Sequence, residues 1–204
     1  MRMQNKIRKI PVCVALVLGA TSLHGIAFAQ ARTGSKVPAI DVSITYQALR
    51  SDHVSGGSSF FLQGGAAEAH ARLFAGLGVV ASVTGEHAGN SATGAAPISF
   101  VSFVFGPRYT FAPARRASVF VEGMVGEVKA FNSSFPPAPG LLTLQTGASS
   151  IAFLSGGGID FNLSRHVAIR AVQVDWLHTQ LPNGGGNSQN NLRLGAGIVW
   201  RFGM

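Results

Sequence analysis

The chain has 204 residues, enough for one domain and at most a small second one. Hydrophobic residues make up 47% and charged residues only 12%, which excludes disorder and falls well below the roughly one-quarter charged content of soluble domains. The formal charge of +8 does not point to nucleic acid: Arg2, Lys6, Arg8 and Lys9 supply four of the 16 basic residues, the remainder carries 12 − 8 = +4, and apart from Arg115-Arg116 its bases are scattered without a stripe.

Residues 1–31 read as a cleaved secretory signal peptide. Arg2 to Lys9 is a positive n-region, Val12 to Leu18 opens an apolar h-region, and Ala27-Phe28-Ala29 and Ala29-Gln30-Ala31 offer small residues for cleavage. Cys13 is the one cysteine and lies inside the h-region, preceded by Val12; this disfavours lipidation and leaves residues 32–204 without a disulfide or thiolate. After the signal no apolar run approaches the 18 or so residues of a membrane helix. A mature chain that spans a membrane must then do so as a closed barrel, because lipid offers no partner to open backbone groups.

Period-two alternation dominates from residue 38 onward. In the first strand Ile40, Val42, Ile44, Tyr46 and Ala48 oppose Asp41, Ser43, Thr45 and Gln47. The second, Phe60 to Leu73, sets Phe61, Ala67, Ala69, Ala71 and Leu73 against Glu68, His70 and Arg72. The third, Leu77 to His87, sets Leu77, Val79, Ala81 and Val83 against Ser82, Thr84 and Glu86. The fourth, Ile98 to Phe111, sets Val101, Phe103, Phe105, Tyr109 and Phe111 against Ser102, Arg108 and Thr110. In the fifth, Ser118 to Lys129, Val119, Val121 and Val125 oppose Glu122. In the sixth, Ser150 to Asn162, Ile151, Phe153, Ile159 and Phe161 share a face, with Ser155 and Asp160 assigned to the other. The seventh, Val167 to Thr179, opposes Val172, Val174 and Trp176 to Gln173 and Asp175, with Arg170 out of phase: it snorkels from the apolar face or is turned inward by a bulge. The eighth, Asn191 to Phe202, opposes Leu192, Leu194, Ala196, Ile198, Trp200 and Phe202 to Arg193 and Arg201.

Short turns near Phe74 to Gly76, Ala112 to Arg116 and Leu163 to Arg165 alternate with longer loops near Ser51 to Ser59, Ala88 to Pro97, Ala130 to Ser149 and Gln180 to Asn190. Eight strands joined this way predict an all-β, eight-stranded antiparallel up-and-down transmembrane barrel, with short turns on the periplasmic side of a Gram-negative outer membrane. The polar faces carry about one charge per strand, too few for a water-exposed surface. They suit a narrow interior network of Glu68, His70, Arg72, Glu86, Arg108, Glu122, Asp175, Arg193 and Arg201, in which Glu68, Glu86 and Glu122 pair with Arg72, Arg108, Arg193 or Arg201 and inward glycines make room for the arginines.

The last fifty residues carry a resemblance. Gly156-Gly157-Gly158-Ile159-Asp160, His166-Val167-Ala168-Ile169-Arg170, Val172-Gln173-Val174-Asp175-Trp176 and Gly197-Ile198-Val199-Trp200-Arg201-Phe202-Gly203, with Gly106-Pro107-Arg108-Tyr109 in the fourth strand, resemble the outer membrane protein beta-barrel domain family. This is the OmpA/OmpX-like, porin-family superfamily, in the style common in Acidobacteria. The resemblance implies a terminal strand read by the barrel-assembly machinery, with Phe202 as its aromatic signal and Trp200, Ile198 and Leu194 at alternate positions.

Catalytic and metal readings are weak. A His, Ser and acid set of the lipid A deacylase kind is not expected, since His70, His87, His166 and His178 lack a matching Ser and acid. No His pair sits at chelating spacing, and Gly156 to Gly158 lacks the Lys-Ser/Thr of a phosphate loop. The expectation is therefore a non-enzymatic barrel with no cofactor, metal or nucleic-acid partner. It is expected to be a monomer whose partners are outer-membrane lipid and, during biogenesis, the assembly machinery. Its role is envelope integrity or surface interaction. A narrow channel or hydrophobic-molecule conduit is the alternative, and a lipid A-modifying enzyme the third reading. The apolar Ala130 to Ser149 segment is a loop that grips a partner or hydrophobic ligand, a loop folded over the barrel mouth, or strand extension above the membrane.

Overall fold

The computed structural model describes residues 40–51, 60–89, 97–114, 116–135, 145–182 and 187–202; the expected signal peptide and Cys13 lie outside them. Eight strands run in chain order: β1 Ile40–Ser51, β2 Phe60–Phe74, β3 Leu77–Ala88, β4 Ile98–Ala114, β5 Ala117–Phe135, β6 Gln145–Asn162, β7 Val167–Thr179 and β8 Gln189–Phe202. Each pairs antiparallel with its sequence neighbour, and β1 pairs with β8 to close the barrel.

Register follows from the alternation, since a slip of one residue would exchange the faces. From Ile40 the pairing runs through Ala71, Val79 and Pro107. The pairs Phe105–Val125 and Arg108–Glu122 set Pro107 against Gly123, and the path continues through Ser155, Trp176 and Leu192 to Arg50. The stagger is 50 − 40 = ten residues. With eight strands, such a barrel leaves an interior about wide enough for side chains to fill.

The outward row is apolar on every strand. Ile44, Tyr46, Phe61, Val83, Phe103, Phe105, Val121, Phe153, Trp176, Leu194 and Phe202 are exposed, whereas Asp41, Glu68, Glu86, Arg108, Glu122, Asp175 and Arg193 are buried. Apolar residues outside a closed barrel suit acyl chains rather than water. Ser155 departs from the expectation: it shares the exposed row with Phe153, and only Asp160 turns inward. Its odd position fixes that face, and its polarity misled the reading.

β5 and β6 outlast their neighbours. Their pairing continues past Ala130–Ala148 and Phe131–Gly147 to Phe135–Gln145, while β4 pairing with β5 ends at Ser99–Phe131 and β7 pairing with β6 ends at Thr179–Ala152. Much of the expected Ala130 to Ser149 loop is thus strand extension. The partner-gripping reading falls on 136–144, outside the described residues. At the turn end, Ala75 (φ 45°) and Gly76 (φ 85°) make the two-residue β2–β3 connection; left-handed backbone at both centres is what a tight hairpin twist requires.

Candidate functional site

The lumen divides into two halves along the axis. Near the short turns it is ionic. Near the long loops it is mainly apolar.

Glu68 on β2 is the hub of the ionic half. Its Oε2 accepts from Arg108 Nη2 and Arg170 Nη1, both at 2.6 Å, and from Ser43 Oγ at 3.3 Å. Its Oε1 accepts from Gln173 Nε2 at 3.0 Å. Arg108 also donates through Nε to Glu122 Oε2 at 2.6 Å and forms a second ion-pair contact with the same oxygen through Nη2. Arg170 donates to Asp160 Oδ1 and to Gln173 Oε1, both at 3.0 Å. The two guanidiniums stack on the Phe120 ring, their Cζ atoms 4.3 and 4.5 Å from its centroid, within cation–π range.

Arg170 reaches this centre because β7 carries a bulge. Ile159 faces Val172 but Asp160 faces Arg170, and on the other side Arg170 faces Gly197 while Gln173 faces Gly195. One extra residue is inserted, Ala171 and Val172 both point outward, and the phase of the strand inverts. Of the two readings open for Arg170, the bulge is the one realised: the side chain is 1% exposed.

A second cluster sits nearer the turns. Asp41 Oδ2 accepts from Arg72 Nη2 at 2.9 Å and lies 3.4 Å from His70 Nδ1. Arg201 is 3.9 Å from both Asp41 and Asp160 and donates to Ser118 Oγ at 3.2 Å and to Asn162 Oδ1. A third pair, Arg193 to Glu86, is bidentate (2.9 and 3.2 Å) and crosses the lumen from β8 to β3.

The nine residues expected in the network all face the lumen, but the pairing differs. Glu86 meets Arg193 and Glu122 meets Arg108, within the expected set. Glu68 takes Arg170 as well as Arg108, and Arg72 and Arg201 turn to Asp41. Asp175 forms no ion pair among the described residues; its Oδ2 accepts from Gln173 Nε2 at 3.0 Å. Beyond the nine, the network also takes in Asp41, Asp160, Arg170, Gln173 and Phe120. Phe120 shares its face with Glu122, so parity alone was the signal available for it. The glycines make room differently too: a Cβ at Gly158 would come within 2.8 Å of the Phe120 ring, and one at Gly156 within 2.0 Å of Asp175 Oδ1. They accommodate an aromatic ring and a carboxylate rather than the arginines directly.

Toward the loops, the inward positions are Leu49, Leu62, Phe100, Val104, Met124, Val128, Leu154 and Leu177, joined by Leu181 just past β7 in one buried apolar cluster. Leu49, Leu62, Val104, Val128 and Leu177 are all 0% exposed and pack around the Arg193–Glu86 pair, Arg193 standing opposite Leu49 and Glu86 opposite Phe100. Among the described residues no group of three or more His, Cys, Asp or Glu is placed to hold a metal ion.

No protein-family model matches the chain, and no curated protein matches it. Solved structures do. Neisserial surface protein A from Neisseria is similar with a TM-score of 0.61 and 13% identity, over 82% of this chain and 100% of that one. The likeness is one of fold. Ail, the attachment invasion locus protein of Yersinia pestis, solved with the heparin analogue sucrose octasulfate, aligns with a TM-score of 0.53 and 17% identity over 80% of this chain and 97% of that one. The outer membrane protein OprG from Pseudomonas aeruginosa gives 0.51 and 12% over 84% and 99%. The chain thus has the eight-stranded barrel fold of these outer-membrane proteins.

Proposed function

We propose that residues 32–204 form an integral outer-membrane barrel that works without catalysis, as a plugged cylinder serving envelope integrity or surface interaction. The observation that carries this reading is the filled lumen. An ion network lies across the turn end and a buried apolar cluster lies at the loop end, which supports a bore filled by side chains. The apolar outer row supports a lipid environment, and residues 1–31 would supply the export signal. Leu194, Ile198, Trp200 and Phe202 lie on the outward row of β8, where an assembly machine reading the terminal strand would meet them. The extended β5–β6 pair supports a surface-contact role at the loop end, since it stands beyond its neighbours.

The apolar loop-end half favours one second reading, a conduit for hydrophobic molecules, in which this half opens to admit them. Planar-bilayer recording and a solute assay separate the two. The plugged cylinder predicts no single-channel current at physiological salt and no faster uptake of a hydrophobic solute into proteoliposomes. Faster uptake with electrical silence supports the conduit, and resolved ion steps contradict both. Insertion itself is read on an SDS gel, where unboiled and boiled protein from outer-membrane fractions should migrate differently.

A further inference from the structure

The turn end carries a feature that the filled lumen does not use. The β4–β5 and β6–β7 connections are held side by side, Asn162 N donating to Arg116 O at 2.9 Å. The second connection is rigid: Leu163 N and Ser164 N both donate to Val167 O at 3.0 Å, and Ser164 Oγ accepts from His166 N at 3.2 Å and from Val167 N at 3.1 Å. Arg165 lies in this bonded connection, three residues past the Asn162 that meets Arg116, and both arginines are exposed. No carboxylate lies within ion-pair distance of either among the described residues. The stretches 106–119 and 161–169 contain no Asp or Glu, and the nearest acid in sequence, Asp160, is turned inward onto Arg170.

Below the two arginines the outward surface is apolar: Phe111, Phe161 and Leu163 are exposed. The remaining short turn, Ala75-Gly76, carries no charge. Among the described residues these outward cations lie on one side of the turn end, just beyond a greasy belt, a placement that sets them at headgroup depth with acyl-chain contacts beneath them. The geometry points to a binding surface for the headgroup phosphate of an anionic phospholipid, formed by Arg116 and Arg165 over Phe111, Phe161 and Leu163. The inference rests on the membrane reading above.

The attraction of a basic residue at such a surface corresponds to about fivefold in occupancy, so two arginines give about 25-fold. The test is native mass spectrometry of the refolded full chain from mixed micelles of phosphatidylcholine and phosphatidylglycerol. Wild type should retain phosphatidylglycerol over phosphatidylcholine by tens-fold. Arg116→Gln/Arg165→Gln should lose most of that preference, and Arg50→Gln/Lys129→Gln, which removes two charges from the loop-end rim, should keep it. Equal loss in both variants, or no preference in wild type, overturns the site. Binding of soluble peptidoglycan fragments through the same arginines, without lipid selectivity, also overturns it. A chain that stays in buffer and enters no micelle overturns the membrane reading as well; one that shows the heat shift on gels but no lipid preference overturns this inference alone.

Discussion

The turn-end half of the lumen is held by an ion network and the loop-end half mainly by hydrocarbon around the single Arg193–Glu86 pair, and the difference decides what each half tolerates. In the ionic half, buried charges are held by partners on other strands: Glu68 alone joins β1, β2, β4 and β7. Removing one member strands the rest in a medium of low dielectric. In the apolar half the contacts are non-directional, so a deletion costs transfer energy and a cavity but leaves no charge behind.

The largest predicted effect follows from that asymmetry. Glu68→Ala leaves Arg108 and Arg170 without their shared acceptor and should destabilise the folded barrel by about 3–5 kcal/mol, measured by urea titration in lipid with the gel shift as readout. Leu177→Ala, in the other half, should cost about 3 kcal/mol. If it proves costlier than Glu68→Ala in the same titration, the ranking of the two halves is wrong.

Gly158→Ala should destabilise by about 2 kcal/mol, because its Cβ meets both the Phe120 ring and Val172 O, at 2.8 and 2.6 Å. Trimming Phe120 to Leu would relieve only the first contact, so a full rescue by the double variant would sink this account of the site.

Asp175→Asn should act in the opposite direction. Asp175 is 1% exposed, forms no ion pair among the described residues, and its Oδ1 has no hydrogen-bond partner among them. Neutralising it should raise stability by about 1 kcal/mol; a loss comparable to that of Glu68→Ala would show that Asp175 belongs to the ion network after all. The smallest effect belongs outside the lumen: Lys129 and Glu127 are 68% and 56% exposed and 3.9 Å apart, so Lys129→Ala should change the midpoint by less than about 1 kcal/mol.

Alternation made the barrel legible, because lipid outside and enclosed charge inside impose opposite chemistry on successive residues. It worked best where both rows are pure, as over residues 40–48 of β1. It failed where a row was mixed or its phase broke. Ala171 and Val172 are consecutive outward residues, so nothing in the local pattern announced where the bulge would place Arg170. Phe120, Val104 and Leu154 are apolar and inward, so their chemistry does not mark the face they take. The strand extensions beyond Ala130 and before Ser150 were obscured because Asn132, Ser133, Ser134 and Gly147 read as loop residues. The charged partners were legible as a set but not as pairs, since long arginines cross the lumen and choose among acids on several strands.

The central claim is that two plugs of different composition close one bore in series. Single-channel recording from a barrel carrying Leu49→Ala, Phe100→Ala and Leu177→Ala, checked for folding by its gel shift, tests it most directly. With the apolar plug hollowed, the Glu68–Arg108–Arg170 layer should still hold the turn end shut, and the membrane should stay silent at physiological salt. Discrete current steps from the folded triple variant would contradict the account.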